Sequence, residues 1–375
     1  MKKIAKLSLV AAVAVAGLTN VNAASLEEAI KGVDVSGQFR FRFQEKKVDG
    51  ESTATLPTAD NNETGSDVEI EVGVKVPVTE NVTAVFKIDN ANDDADDANT
   101  KADVEIEDYY FSYNAGALTV NAGQQNIPGR ITDGNQGDGI VALYNLGSAT
   151  IGAAAFADHN VDSTRLDNSN SVLSAIAMGN VGPVSLLGQY ATVADTVDTY
   201  NLKADANFDM VKVGVEYTES ELDAATGIGA AFRDDRSTLK AYVAGNVGIV
   251  SGKLIYAKTG DNGSGSIDSQ VSTAGLEAPA EYLLWNLGTS FKSDMEIYGV
   301  DASVAVTPKL SLRAAYVEGE VGSLAGKEVY EALGQISYKV SKNLNTYVRY
   351  AEFDSNGVNN SADGQRGRVE VKYSF

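Results

Sequence analysis

At 375 residues the chain is long for one soluble domain, yet barrels commonly run this long as a single unit. Its 51 Asp plus Glu against 30 Lys plus Arg give a formal charge of −21, which argues against a polyanion-binding surface. There is no cysteine, so disulfide scaffolds, thiolate metal sites, cysteine nucleophiles and lipoprotein acylation are all excluded.

In chain order, Lys2, Lys3 and Lys6 precede the apolar run Leu7 to Leu18, and Val21-Asn22-Ala23 ends with small residues. This is the pattern of a secretory signal peptide over residues 1–23, cleaved after Ala23, with 24–375 as one domain. No later apolar run is long enough for a membrane-spanning helix. Ser25 and Glu28 form a capping box that predicts about two turns of helix. Next comes V-D-V-S-G-Q-F-R-F-R-F, in which Phe39, Phe41 and Phe43 alternate with Arg40 and Arg42. Strand side chains repeat every two residues, so one face is aromatic and the other cationic. An aromatic stripe of this kind must be covered by protein or lipid.

The alternation recurs through Val68, Ile70, Val72, Val74 and Val76, and again through Val82, Ala84, Phe86 and Ile88. The strand Asp103 to Tyr113 changes face near Glu107-Asp108, which predicts a bulge. Tight turns are predicted at Thr79-Glu80-Asn81, Asn114-Ala-Gly, Asn145-Leu-Gly, Asn180-Val-Gly-Pro, Phe208-Asp, Asn246-Val-Gly, Thr307-Pro-Lys and Ser341-Lys-Asn. Between them lie longer polar stretches: 47–65, 90–102, 127–137, 159–170, 220–234, 260–294, 318–328 and 354–365. Residues Glu281 to Phe291 fit either a strand or part of a loop. The last strand sets Val369, Val371, Tyr373 and Phe375 against Arg368, Glu370, Lys372 and Ser374. It resembles the closing strand of bacterial outer-membrane barrels, in which the final aromatic is an assembly signal. Short and long connections in alternation predict an all-β fold, a transmembrane antiparallel β-barrel of about 18 strands with short periplasmic turns and longer outer loops. The mean hydropathy of −0.14 fits such a barrel, because lumen-facing residues dilute the apolar signal.

In such a barrel, parity turns Arg40, Arg42, Arg313, Arg349, Arg366, Arg368 and Lys372 inward as one basic patch, because closure sets the first and last strands side by side. Glu69, Glu71, Glu105 and Glu107 are expected to face that patch across the lumen, with Arg130, Asp133 and Asp138 from the glycine-rich stretch near 127–138. Opposed patches of this kind orient dipolar solutes, and carboxylates favour cations. The acidic run Asn92 to Asp97 lacks the Gly and Glu of a calcium loop. His159 is the only histidine, and with Ser163 it makes no convincing hydrolase pair.

Leu26 to Phe43, Asn121 to Gly139 and the C-terminal strand together resemble the major outer-membrane porins of Campylobacter and its relatives. The resemblance implies eighteen strands, a homotrimer, an inward constriction loop at 127–138 and a structural calcium, for which Asp133 and Asp138 are the candidates here. The function expected is a general-diffusion porin, not an enzyme. It would pass ions and small hydrophilic solutes across the outer membrane with a preference for cations, in contact with lipid and lipopolysaccharide and without nucleic acid. The alternatives are a surface adhesin or receptor that uses the barrel as a loop scaffold, and a soluble exported sandwich.

Overall fold

The computed structural model describes residues 32–49, 61–90, 104–132, 134–161, 171–222, 236–265, 268–272, 275–277, 284–289, 293–322, 327–354 and 363–375. The expected signal peptide, the Ser25 helix, the Asn92 to Asp97 run and Ser163 lie outside these residues.

The strands are β1 (Asp34–Asp49), β2 (Asn61–Pro77), β3 (Val82–Asn90), β4 (Val104–Ala115), β5 (Leu118–Asn126), β6 (Gln136–Asn145) and β7 (Ala149–His159). They continue as β8 (Val172–Val181), β9 (Val184–Val193), β10 (Val197–Phe208), β11 (Val211–Leu222), β12 (Arg236–Val247) and β13 (Val250–Thr259). A small hairpin, β14 (Asp268–Ser272) and β15 (Gly275–Glu277), interrupts the series before β16 (Met295–Ala305), β17 (Leu310–Val321), β18 (Lys327–Lys339), β19 (Leu344–Asp354) and β20 (Asp363–Ser374). Apart from the hairpin, every strand pairs antiparallel with its neighbours in sequence, β13 pairs with β16, and β1 pairs with β20. The result is one closed sheet of 18 strands, not two packed sheets, so the soluble sandwich is excluded.

All eight predicted tight turns join consecutive strands at the end of the barrel that carries the C-terminus. Two-residue hairpins need left-handed backbone, which Gly116 supplies at φ 61° and Asp209 at φ 52°. The other end is less uniform than expected. β9 and β10 are joined by a tight turn in which the Thr196 N–H donates to the Val193 carbonyl at 3.0 Å. Strands also run further into the polar stretches than turn chemistry suggests, with Lys47 paired to Asn62 and Glu320 to Glu328. There the ladder's backbone bonds override weak local propensity. The predicted bulge is present, as a register shift between Lys87 and Ile88 opposite β4.

Parity assigns the two faces. Phe39, Phe41, Phe43, Val371 and Tyr373 are exposed on the outside, whereas Asp67, Glu69 and Glu370 are buried on the inside. A barrel turned this way offers its aromatics to hydrocarbon and its charges to the lumen. At the closing seam, the Gly37 N–H donates to the Phe375 carbonyl and the Phe375 N–H to the Gly37 carbonyl, both at 3.1 Å. A Cβ on Gly37 would sit 2.2 Å from the Glu71 carbonyl oxygen and 2.9 Å from the Phe375 ring, so the three strands can meet only at glycine. Gly37→Ala is expected to cost about 1–3 kcal/mol through overpacking. The check is the folded fraction, read as heat-modifiable electrophoretic mobility, which should fall relative to wild type.

Candidate functional site in the barrel lumen

The inward basic residues form a row set by register. Arg313 on β17 lies opposite Gln335 on β18, Gln335 opposite Arg349 on β19, Arg349 opposite Arg368 on β20, and Arg368 opposite Gln44 on β1. Arg313 donates from Nε and Nη2 to the Asp301 carboxylate at 2.9 and 2.7 Å. Arg349 Nε donates to Gln335 Oε1 at 2.7 Å. Arg366 and Arg368 both donate to Gln44 Oε1, at 3.1 and 2.7 Å. Lys372 pairs in register with Arg40, which completes the expected patch.

The acidic residues are inward but not across the lumen, which corrects the expectation. β2 is the hydrogen-bonded neighbour of β1, so Glu69 stands directly opposite Arg40 in the ladder and forms an ion pair with it. Arg42 reaches Glu370 at 2.9 Å on one side and Asp67 at 3.4 Å on the other. From this seam an acidic arc continues through Glu71, Asp89, Glu105, Glu107 and Asp108 on β2 to β4. Lys87 lies within it, 2.5 Å from Glu107 and 3.5 Å from Glu71. The charge is thus divided between adjacent sectors of wall.

The segment between β5 and β6 folds onto the inner wall. The Arg130 and Ile131 N–H groups donate to Gln189 Oε1 on β9 at 2.6 and 3.1 Å, and Gln189 Nε2 donates to Thr132 Oγ1 at 3.1 Å. Gly129, at φ 138°, lies so close to Gln189 that a Cβ would meet the amide nitrogen at 2.0 Å. The Arg130 side chain donates to the buried Glu216 of β11 at 2.9 and 3.3 Å. Beneath it, Ile127 and Ile131 pack on Val141, Phe156, Val172 and Val193. The inner wall is therefore apolar where a segment covers it.

A second inward segment, residues 284–289, is one that sequence reasoning left open. The Glu331 carboxylate of β18 is fully buried and accepts the N–H groups of Trp285, Asn286 and Leu287 at 3.1, 2.7 and 2.8 Å, and also Asn286 Nδ2 at 3.0 Å. So held, Trp285 lies over the basic row, with its ring centroid 4.3 Å from the Arg366 guanidinium, 4.9 Å from Arg368 and 5.1 Å from Arg349. The first segment is anchored on β9 and β11 and the second on β18, so the two rest on different sectors of the wall. Further round, Arg236 and Lys240 of β12 are buried, and the Gly265 N–H donates to Thr238 Oγ1 between them at 3.1 Å. Signals for these residues existed in the sequence. The only tryptophan sits in a polar stretch, and Glu331, Glu216 and Lys240 fall on inward parity.

Residues 1–184 match the family model described as Campylobacter major outer membrane protein. Over those residues, just under half of its length, the chain is similar to that family. Among curated proteins no sequence matches it. Among solved structures it is similar to OccK1 (OpdK) of Pseudomonas aeruginosa, with a TM-score of 0.68 at 14% identity over 91% of this chain and 98% of that one. OccK8 (OprE) of the same organism gives 0.67 at 15% over 91% and 98%, and OccAB3 of Acinetobacter baumannii gives 0.68 at 12% over 91% and 99%. At these identities the likeness is one of fold. Family and fold together locate the protein in the bacterial outer membrane.

Two residues were the candidates for the structural calcium that the family resemblance implies. Asp138 is exposed and falls on the same side of β6 as Tyr144, which points away from the lumen, while Asp133 lies outside the described residues. Among the described residues no three His, Cys, Asp or Glu side chains are grouped to hold a metal ion. The lumen wall holds peptide N–H groups on the buried Glu331 carboxylate. Removing the acceptor with Glu331→Ala should release residues 284–289 and strand their donors, a loss of several kcal/mol. Because Trp285 is the sole tryptophan, a red shift of its emission reports the release. Unchanged emission would refute the anchor.

Proposed function

We propose that the protein is a passive diffusion channel of the outer membrane, through which ions and small hydrophilic solutes pass down their gradients without covalent chemistry. The observation that carries this reading is the closed sheet itself. Its inner face holds charged and amide side chains, and two segments resting on different sectors of the wall narrow the lumen. A barrel of 18 strands is wider than its own side chains can fill. The 127–138 segment acts in this reading as the constriction loop, and a homotrimer embedded in lipid and lipopolysaccharide follows from the family resemblance.

The preference proposed is for cations. Much of the inward basic charge is engaged: Arg40 with Glu69, Arg42 with Asp67 and Glu370, Arg130 with Glu216, Arg313 with Asp301. In the acidic arc, by contrast, Lys87 pairs with Glu71 and Glu107 while Asp89, Glu105 and Asp108 lie beside them, and Glu105 is exposed to the lumen. Ions crossing the lumen meet an excess of carboxylate there.

Planar-bilayer recording under a salt gradient tests this. The reversal potential should carry the sign of cation preference, and neutralising the arc with Asp89→Asn and Glu105→Gln should move it toward zero. Arg130→Ala, which unclamps the 127–135 segment from Glu216, should raise single-channel conductance. Native anion preference would overturn the charge argument, and absence of conductance would overturn the channel.

A further inference from the structure

On strand parity Tyr298 of β16, Tyr316 of β17 and Tyr330 of β18 point outward, at the end of the barrel away from the C-terminus. They wall a cavity of about 470 Å³ on the outer face. The Tyr316 and Tyr330 rings stack with centroids 6.3 Å apart, and Tyr298 lies against Tyr256 of β13 at 5.2 Å. Carboxylates hold the phenols in place. The Tyr298 and Tyr256 hydroxyls both donate to Glu296 Oε1, at 2.6 and 3.0 Å, and the Tyr316 hydroxyl donates to Glu318 Oε2 at 3.0 Å. Glu320 and Glu328, opposite each other in the ladder, complete the rim. The lining holds no basic side chain, and only Lys258 of β13 stands beside Glu296 in register, so the cup is acid in excess. Among the described residues no three carboxylates are grouped to hold a metal ion. Negative charge spread round aromatic walls suits a bulky organic cation, not a bare ion that needs its oxygens at one point.

Toward the periplasmic end the outer face next to this cup loses its side chains. Ala302, Ala314 and Gly334 are successive ladder partners on β16, β17 and β18, and Gly252 of β13 extends the row. A Cβ on Gly252 or Gly334 would meet nothing within 4 Å, so packing within the chain does not demand glycine at either position. Exposed apolar side chains flank the row, Leu254, Val300 and Tyr316 on one side and Leu312 and Ile336 on the other. The result is a shallow apolar trough that shares Tyr316 with the cup.

We propose that Tyr298, Tyr316, Tyr330 and the carboxylates around them bind the ammonium headgroup of a membrane phospholipid, one acyl chain of which lies along the Ala302–Ala314–Gly334 trough. The rings attract the ammonium and the glutamates complement its charge, while Lys258 at the edge of the cup is the counter-charge for the phosphate. A soluble amine would leave the trough empty, and it is the trough that makes the occupant a lipid. The site lies outside the lumen and holds whether or not the barrel conducts, so its test is independent of the bilayer recordings.

The experiment is native mass spectrometry of the detergent-solubilised protein, supplied with equal amounts of phosphatidylethanolamine and phosphatidylglycerol of identical acyl chains. Retained ethanolamine lipid should exceed glycerol lipid by about fivefold, because only the first carries an ammonium. The double variant Glu318→Gln with Glu320→Gln keeps the shape of the cup, removes two charges and should bring the two lipids level. Gly334→Leu, for which the fold has room, fills the trough and should lower retention of both lipids by about fivefold. Equal retention of the two lipids by the wild-type protein would overturn the proposal, as would an undiminished preference in the glutamine variant or unchanged retention in Gly334→Leu. Heat-modifiable mobility shows whether each variant is folded. If Gly334→Leu is not, the nearly isosteric glutamine variant decides by the same comparison.

Discussion

The constraint on which the structure depends is that a sheet immersed in hydrocarbon can leave no backbone N–H or C=O unpaired. The β1–β20 ladder meets it by joining the two ends of the chain, and the Gly37–Phe375 bonds finish the seam. Once the sheet is closed, each strand has only an inside and an outside. A shift of one residue anywhere would put Arg40 and Arg42 into lipid and Phe39 and Phe41 into the lumen. Register, and hence the geometry of every lumen residue, follows from that single closure.

Closure also creates an interior too wide for side chains alone, and the chain fills part of it with its own backbone. Backbone brought inside must find partners, and here these are wall side chains: the Gln189 amide for Arg130 and Ile131, the Glu331 carboxylate for Trp285 to Leu287. A buried carboxylate is expensive unless hydrogen-bonded, and four donors at one carboxylate offset that cost. The apolar patches beneath the two segments serve the same end, for they give Ile127, Ile131 and Leu287 a dry surface to pack on.

The charges divide by sector and not by opposition. Because first and last strands adjoin, the basic row and the acidic arc meet at the β1–β2 seam, where Arg40, Arg42, Asp67 and Glu69 neutralise one another. What remains on either side is a stretch of wall with one dominant sign. Such an interior presents different chemistry to a solute according to the wall along which it moves.

Much of this was legible in the residues. The alternation Phe39-Arg40-Phe41-Arg42-Phe43 and its echo Val369 to Phe375 determined which side chains face lipid, because strand periodicity is local. Glycine and asparagine at the turns pointed to about eighteen strands, and the N-terminal motif carried the family resemblance. Three-dimensional pairing decided the rest. That Glu69 is the ladder partner of Arg40 and not its counterpart across the lumen depends on which strands adjoin, which no local pattern records. That Trp285 folds inward onto Arg366 and Arg368 depends on an anchor, Glu331, more than forty residues away. Asp138, although in a motif that resembles the family's, is turned outward by its place on β6. Periodicity carries the orientation of a side chain, but no local pattern records which distant side chain it will meet.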